Sequence, residues 1–227
     1  MLLFCVIILA FIGLGVVLVL YFISPPFTYK IVFTAFILLI SLELIWENFY
    51  STKEKKAQRL EGDWTLFAVT SSFLALMYFA IFEFYLFHRV LNLLISGIGF
   101  FLYIIGLFLR LWGKWALGEL WRVHIIGKDK LELSSSSFIR KGPYKYMRHP
   151  MYLGALLEAI GIPLLLNAYY ALVFGIIVFW PLEICRTYVE EKVLKQTYSR
   201  EYIQYKSERW AFLPIKKKWF KFHSTNL

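Results

Sequence analysis

An all-α, multi-pass membrane protein is the architecture to expect from this chain, with about six membrane-embedded helices and a C-terminal amphipathic helix. Composition is the first reason. Of 227 residues, 59% are hydrophobic, 20% aromatic and only 18% charged, whereas a soluble domain is about 45–50% apolar and about 25% charged. The second reason is arrangement. Segments 1–29, 64–82, 90–109 and 159–182 contain no Asp, Glu, Lys or Arg, and about 20 apolar residues match the roughly 30 Å hydrocarbon core of a bilayer. A disordered chain, a disulfide scaffold and a soluble enzyme are excluded.

Six apolar segments follow in order: 2–23, 31–46, 65–87, 90–112, 151–166 and 169–185. The first lacks a basic leading region and a small-residue cleavage site, so it reads as a retained transmembrane helix rather than a signal peptide. Ser24-Pro25-Pro26 ends it, because proline breaks a continuous helix. The charged stretch Glu47 to Asp63 separates the second segment from the third, and His88-Arg89 marks the next junction. The polar segment 113–150 precedes two short apolar stretches divided only by Leu166-Asn167-Ala168. With Gly161 and Pro163 near that turn, they form a helical hairpin. Beyond residue 185, Val189, Val193, Tyr198 and Tyr202 mark one face of an amphipathic helix of about 20 residues. The chain divides into an N-terminal four-helix region, 1–112, and a second region, 113–227. Cys5 and Cys185 form neither a disulfide framework nor a Cys-x-x-Cys motif.

Charge sets the orientation. With the N-terminus in the cytoplasm, 23 of the 25 Lys and Arg fall on the cytoplasmic side, leaving only Lys30 and Arg89 opposite. Such asymmetry is the positive-inside pattern and places both termini in the cytoplasm. The membrane is the inner or plasma membrane in a prokaryote, the endoplasmic reticulum in a eukaryote. The net charge of +10 then needs no nucleic acid, because the cations line one membrane face. Segments 113–150 and 186–227 emerge together on that face. A water-soluble cofactor would bind there, and a lipid-like substrate could enter sideways through the bilayer.

The informative stretch is Gly142-Pro143-Tyr144-Lys145-Tyr146-Met147-Arg148-His149-Pro150-Met151-Tyr152-Leu153-Gly154. Interfacial Tyr, Lys and Arg commonly anchor helices, which accounts for part of it. Pro150 suits the first turn of a helix. The free N–H groups there favour an anion, so Arg148 and His149 suggest a small anion or polar-ligand pocket. In a second cluster, Arg186 and Glu190 stand one turn apart, either as a surface ion pair or as a site for polar ligand groups. Glu43, Glu83 and Glu158 lie in or near apolar segments, where a carboxylate is costly. Glu83 is expected at the interface, and Glu158 faces the pocket or a neighbouring helix. His88, His124 and His223 are solitary and read as structural or interfacial. Lys216-Lys217-Lys218-Trp219-Phe220-Lys221 is an interfacial anchor drawn to anionic lipid.

The motifs G-P-Y-x-Y-x-R-H-P-x-Y-x-G, R-x-x-x-E-E-x-x-L and E-Y-x-x-Y, carried here by Gly142–Gly154, Arg186–Leu194 and Glu201–Tyr205, occur in that order. Together they resemble the isoprenylcysteine carboxyl methyltransferase family and its phospholipid N-methyltransferase relatives, over about residues 110–215. The resemblance implies an integral membrane enzyme that uses S-adenosyl-L-methionine without a Rossmann domain. It implies cofactor contacts at Tyr144, His149, Pro150, Met151, Tyr152 and Glu190, and at the upstream stretch Ser136, Ser137, Phe138 and Ile139. It implies that Arg186 positions the methyl acceptor. Many members carry a histidine where this chain has Ser136.

The expected activity is O-methylation of the carboxylate of a prenylated cysteine or similar lipid-like acceptor. The cofactor carries the difficult chemistry, and a carboxylate or thiolate nucleophile needs no general base. This agrees with a chain that has no catalytic dyad, no G-x-G-x-x-G and no metal-ligand cluster. Partners are the acceptor and membrane lipids, with neither metal nor nucleic acid. A membrane NADPH-dependent sterol or enone reductase shares a similar R-H-P-x-Y-x-G run, but often with an acidic residue after the glycine, where this chain has Ala155. A transporter tends to show internal repeats, and none is present.

Overall fold

The computed structural model describes residues 64–87, 91–118 and 140–214. The first two apolar segments, the charged stretch 47–63, Glu43, His88, His124, Ser136 to Ile139, His223 and the basic tail lie outside the described residues. Within them the regular structure is helical: α1 (Trp64–Leu86), α2 (Leu93–Leu117), a 3-10 turn (Gly142–Lys145), α3 (Pro150–Leu165), α4 (Tyr169–Phe174), a π segment (Gly175–Phe179) and α5 (Trp180–Glu208). Among the described residues, three helical stretches are long and apolar enough to cross a membrane, namely Trp64–Leu86, Leu93–Leu117 and Tyr169–Gln196. At 16 residues, α3 spans only about 24 Å.

α2 and α3 approach backbone to backbone. Gly99, Gly106 and Gly113 recur every two turns on α2; Gly99 faces Gly161, Gly106 faces Gly154, and Gly113 faces Met151 on α3. A Cβ on Gly154 would lie 2.6 Å from the Gly106 carbonyl oxygen, and one on Gly161 would lie 2.8 Å from that of Gly99. Small residues allow this contact, and in lipid such packing stands in for hydrophobic driving force. The core then closes on α1, through Leu76, Ala80 and Phe84 against Tyr103, Leu156, Ala159, Ile162 and Phe179. The opposite face of α2 carries exposed Leu94, Phe101 and Phe108, as a lipid-facing surface requires.

The hairpin forms at the expected place. α3 ends at Leu165, and Asn167 takes a left-handed φ of 55°. Its side chain donates to Ser96 Oγ at 2.7 Å and accepts from the Asn92 backbone N–H at 3.1 Å. Asn92 in turn caps α2 by accepting from Leu94 N. Glu83 lies in the last turn of α1, beside the hairpin turn. It is fully buried, and its carboxylate accepts from the N–H groups of Tyr170 at 3.2 Å and Ala171 at 2.8 Å. Those first-turn N–H groups have no partner within their own helix, so the carboxylate and the helix start satisfy each other.

The second arm of the hairpin differs from expectation. It does not stop near residue 185, because α4, the π segment and α5 run on without a break. The composition changes there, but the backbone does not. α5 then bends sharply: Lys206 Nζ lies 2.6 Å from Glu191 Oε2, although a straight helix would separate residues that far apart by about 22 Å.

Candidate active site

The bend folds the distal part of α5 over the 3-10 turn. Gly142 begins that turn with a positive φ of 56°; a Cβ there would also meet Ala116 Cβ at 2.7 Å. The Tyr205 hydroxyl donates to the Tyr144 and Met147 carbonyls at 2.6 and 3.0 Å. Arg209 Nε donates to the Lys145 carbonyl at 2.7 Å. The backbone N–H groups of Arg148 and His149 donate to the carbonyls of Trp210 and Ala211 at 3.0 and 2.9 Å. The motif residues of 142–152 are thereby held against the end of α5 and the three residues that follow it.

His149 is the N-cap residue of α3, and Pro150 is its first helical residue. The buried imidazole lies between two glutamates, with Nδ1 3.6 Å from Glu190 Oε2 and Nε2 3.1 Å from Glu191 Oε1. It stacks on Tyr152 with 5.5 Å between centroids. Burial disfavours the imidazolium, but the two carboxylates outweigh it and raise the His149 pKa above its ordinary value. Tyr144 is held well above the ordinary phenol range by burial, then by the charge of Glu190 and by Tyr205. Its hydroxyl and Met151 both lie against Gly113 of α2. Tyr144, His149, Pro150, Met151, Tyr152 and Glu190 are therefore gathered at one site, while Ser136, Ser137, Phe138 and Ile139 fall outside the described residues.

Two expectations are corrected. The pocket foreseen between Arg148 and His149 is filled from within, because both meet the buried carboxylate of Glu191, which also accepts from Lys206. Nor do Arg186 and Glu190 form an ion pair. Arg186 is buried and donates to Thr65 Oγ1 of α1 at 3.0 Å, while Glu190 turns to His149 and keeps 32% of its side chain exposed.

Beside this rim lies a buried polar layer. Arg110 of α2 pairs with Glu158 of α3 at 2.6 Å, next to the Gly106–Gly154 contact. Glu158 was legible as a buried carboxylate, and Arg110 as the cation ending the uncharged stretch 90–109. Glu191 was visible only as the second glutamate of its motif, and Glu183, Lys206 and Thr65 carried no sequence signal of a role, since their partners lie on other elements or across the bend.

Residues 98–196 match the isoprenylcysteine carboxyl methyltransferase family. The stretch includes α3, Arg186, Glu190 and Glu191. A Saccharomyces cerevisiae protein-S-isoprenylcysteine O-methyltransferase is 41% identical over 92 residues, which are 40% of this chain and 38% of that one. YpbQ of Bacillus subtilis is 36% identical over 87 residues, 38% of this chain and 49% of its own. Arabidopsis thaliana protein-S-isoprenylcysteine O-methyltransferase B is 37% identical over 68 residues, 30% of this chain and 34% of its own. The matches thus span about a third to a half of each relative. The solved structure of the eukaryotic intramembrane Ras methyltransferase ICMT matches with a TM-score of 0.50 and 18% identity, over 96% of this chain and 88% of that one. That likeness is one of fold.

Proposed function

We propose that the protein is an integral membrane methyltransferase that uses S-adenosyl-L-methionine to methylate the carboxylate of a prenylated cysteine or similar lipid-like acceptor. The observation that carries this reading is the gathering of Tyr144, His149, Tyr152 and Glu190 at one rim, with Arg186 one helical turn earlier on α5. The residues suit the cofactor: a partly exposed carboxylate is flanked by aromatic rings, and the N-cap residue of α3, His149, lies beside it. The cofactor supplies an activated methyl group on a sulfonium. Glu190 would accept hydrogen bonds from ribose hydroxyls or pair with the ammonium, while Tyr144 and Tyr152 wall the site and exclude water. Arg186 would orient the acceptor carboxylate, because a guanidinium beside the sulfonium would repel the cofactor. Alignment in a dry site is the main requirement, since a carboxylate needs no base.

The test is methyl transfer from labelled cofactor to prenylcysteine acceptors in proteoliposomes. Glu190→Gln should raise the apparent constant for the cofactor, whereas Arg186→Ala should lower turnover or acceptor affinity. Loss of a charge-assisted hydrogen bond in a buried site corresponds to about ten- to a hundredfold. His149→Ala and Tyr144→Ala should weaken calorimetric cofactor binding. Parental values for all four would remove these residues from the site.

The same reading assigns residues 113–227 to the cofactor region, a full set of six embedded segments to the chain, and both termini to the cytoplasm. Lys55→Cys and Ser207→Cys should be labelled from the cytoplasmic side alone. Labelling only from the opposite side would reverse the orientation.

A further inference from the structure

The inner face of α5 is occupied by the buried Glu183, Arg186, Thr187 and Glu191. Its outer face carries a second pattern. There Ile184 is 49% and Tyr188 71% exposed, and Lys192 and Lys195 are exposed as well. Spacings of four, four and three residues set these side chains in one stripe along the helix. The stripe runs from aliphatic through aromatic to basic.

Length places that stripe in the bilayer. The span Tyr169–Gln196 has 28 residues and so measures about 42 Å. A bilayer is about 30 Å across its hydrocarbon and about 40–45 Å with its headgroups, so each end of the span falls in a headgroup layer. At the α5 end that layer holds Lys192 and Lys195. Tyr188 lies about 6 Å earlier along the axis, at the hydrocarbon edge where amphipathic rings collect. Tyr146 on the 3-10 turn is also exposed, and its ring lies 6.4 Å from that of Trp112 near the end of α2. Aromatic rings thus mark the same end of the bundle on three elements.

The protein supplies no anion for the two lysines. Glu191, one turn before Lys195, faces inward and is engaged by Arg148, His149 and Lys206. Neither Lys192 nor Lys195 is paired with a carboxylate among the described residues. Three apart on a helix, they stand about 5–6 Å from each other at Cβ, close enough for both ammonium groups to reach one phosphodiester. We propose that Lys192 and Lys195 bind the headgroup phosphate of an anionic phospholipid, with Tyr188 at its glycerol level and Ile184 beside its acyl chain. A zwitterionic headgroup is disfavoured, because its own ammonium already compensates the phosphate. The bound lipid fixes the height at which α5 leaves the membrane, and with it Glu190, which stands on the same turn as Lys192.

The full chain in detergent would be titrated with phosphatidylglycerol and, separately, with phosphatidylcholine, and the first lipid bound followed by native mass spectrometry. The parent should bind phosphatidylglycerol more tightly. A lysine near an anionic surface is worth about fivefold in affinity, so Lys192→Gln combined with Lys195→Gln should weaken phosphatidylglycerol by about ten- to thirtyfold and leave phosphatidylcholine unchanged. Lys192→Arg with Lys195→Arg should keep the affinity, as should Lys141→Gln with Lys145→Gln, which removes the same charge from the 3-10 turn and its N-cap. No preference in the parent, an unchanged constant in the Lys192 and Lys195 variant, or an equal loss in the Lys141 and Lys145 variant overturns the site. Displacement of the lipid by inorganic phosphate, but not by chloride at the same ionic strength, assigns the lysines to a soluble anion and also overturns it. Should the glutamine variants fail to fold, the parent's preference and the phosphate competition decide.

Discussion

Glu190 and Glu191 are neighbours in sequence, yet they differ by about 100° around the helix and do different things. Glu190 stays partly open at the rim, while Glu191 is buried and engaged by Arg148, His149 and Lys206. The motif made both visible but could not say which one faces inward. The partners of Glu191 lie on a turn more than 40 residues earlier and across a bend that no periodicity announces. His149 binds both carboxylates, and its raised pKa gives this arrangement a pH signature. Protonation is favoured more in the folded state than in the unfolded chain, where histidine titrates near about 6.5. The stabilisation is therefore complete below that value and is lost as pH rises through the elevated folded value. Thermal melts of the cofactor-free protein should show the melting temperature falling from mildly acidic into alkaline conditions, and His149→Gln should flatten that slope. Identical slopes would mean that the imidazole is not charged in the fold.

At the scale of elements, the apolar blocks located α1, α2, α3 and the Leu166–Ala168 turn to within a few residues. A bilayer-length run and a proline at a helix start are local signals. The continuity of α4 into α5 was not legible, because a change from apolar to polar composition marks where a helix leaves lipid, not where its hydrogen bonding stops. Glu83 was equally opaque: its partners lie 87 and 88 residues away at the start of α4. Its role is to anchor a helix start, at the end of the bundle away from the candidate site. Glu83→Ala should lower stability by about 1–2 kcal/mol, the range for losing a helix cap, with cofactor KM unchanged. A denaturation series paired with methyl-transfer kinetics would check this, and a changed KM with full stability would contradict it.

For the molecule as a whole, α2 and α3 form the rigid frame, and their glycine registers set how closely it closes. Gly106 and Gly154 hold each other's backbones in contact, with Arg110 and Glu158 clamped beside them. Gly154→Val should cost about 1–3 kcal/mol or more from overpacking, seen as a lower melting temperature in detergent. An unaltered melt would show that the helices can separate without penalty. The seven-residue spacing of these glycines is plain in the sequence; which faces meet is decided only by the fold. The distal part of α5 attaches to this frame last in chain order. Arg148 and His149 are tied to Trp210 and Ala211, and Tyr144 to Tyr205. During synthesis α1, α2 and α3 can therefore insert and pair before the residues that close the rim have left the ribosome. A released chain truncated near residue 200 would keep the membrane-length helices and the motif residues but leave the site unassembled.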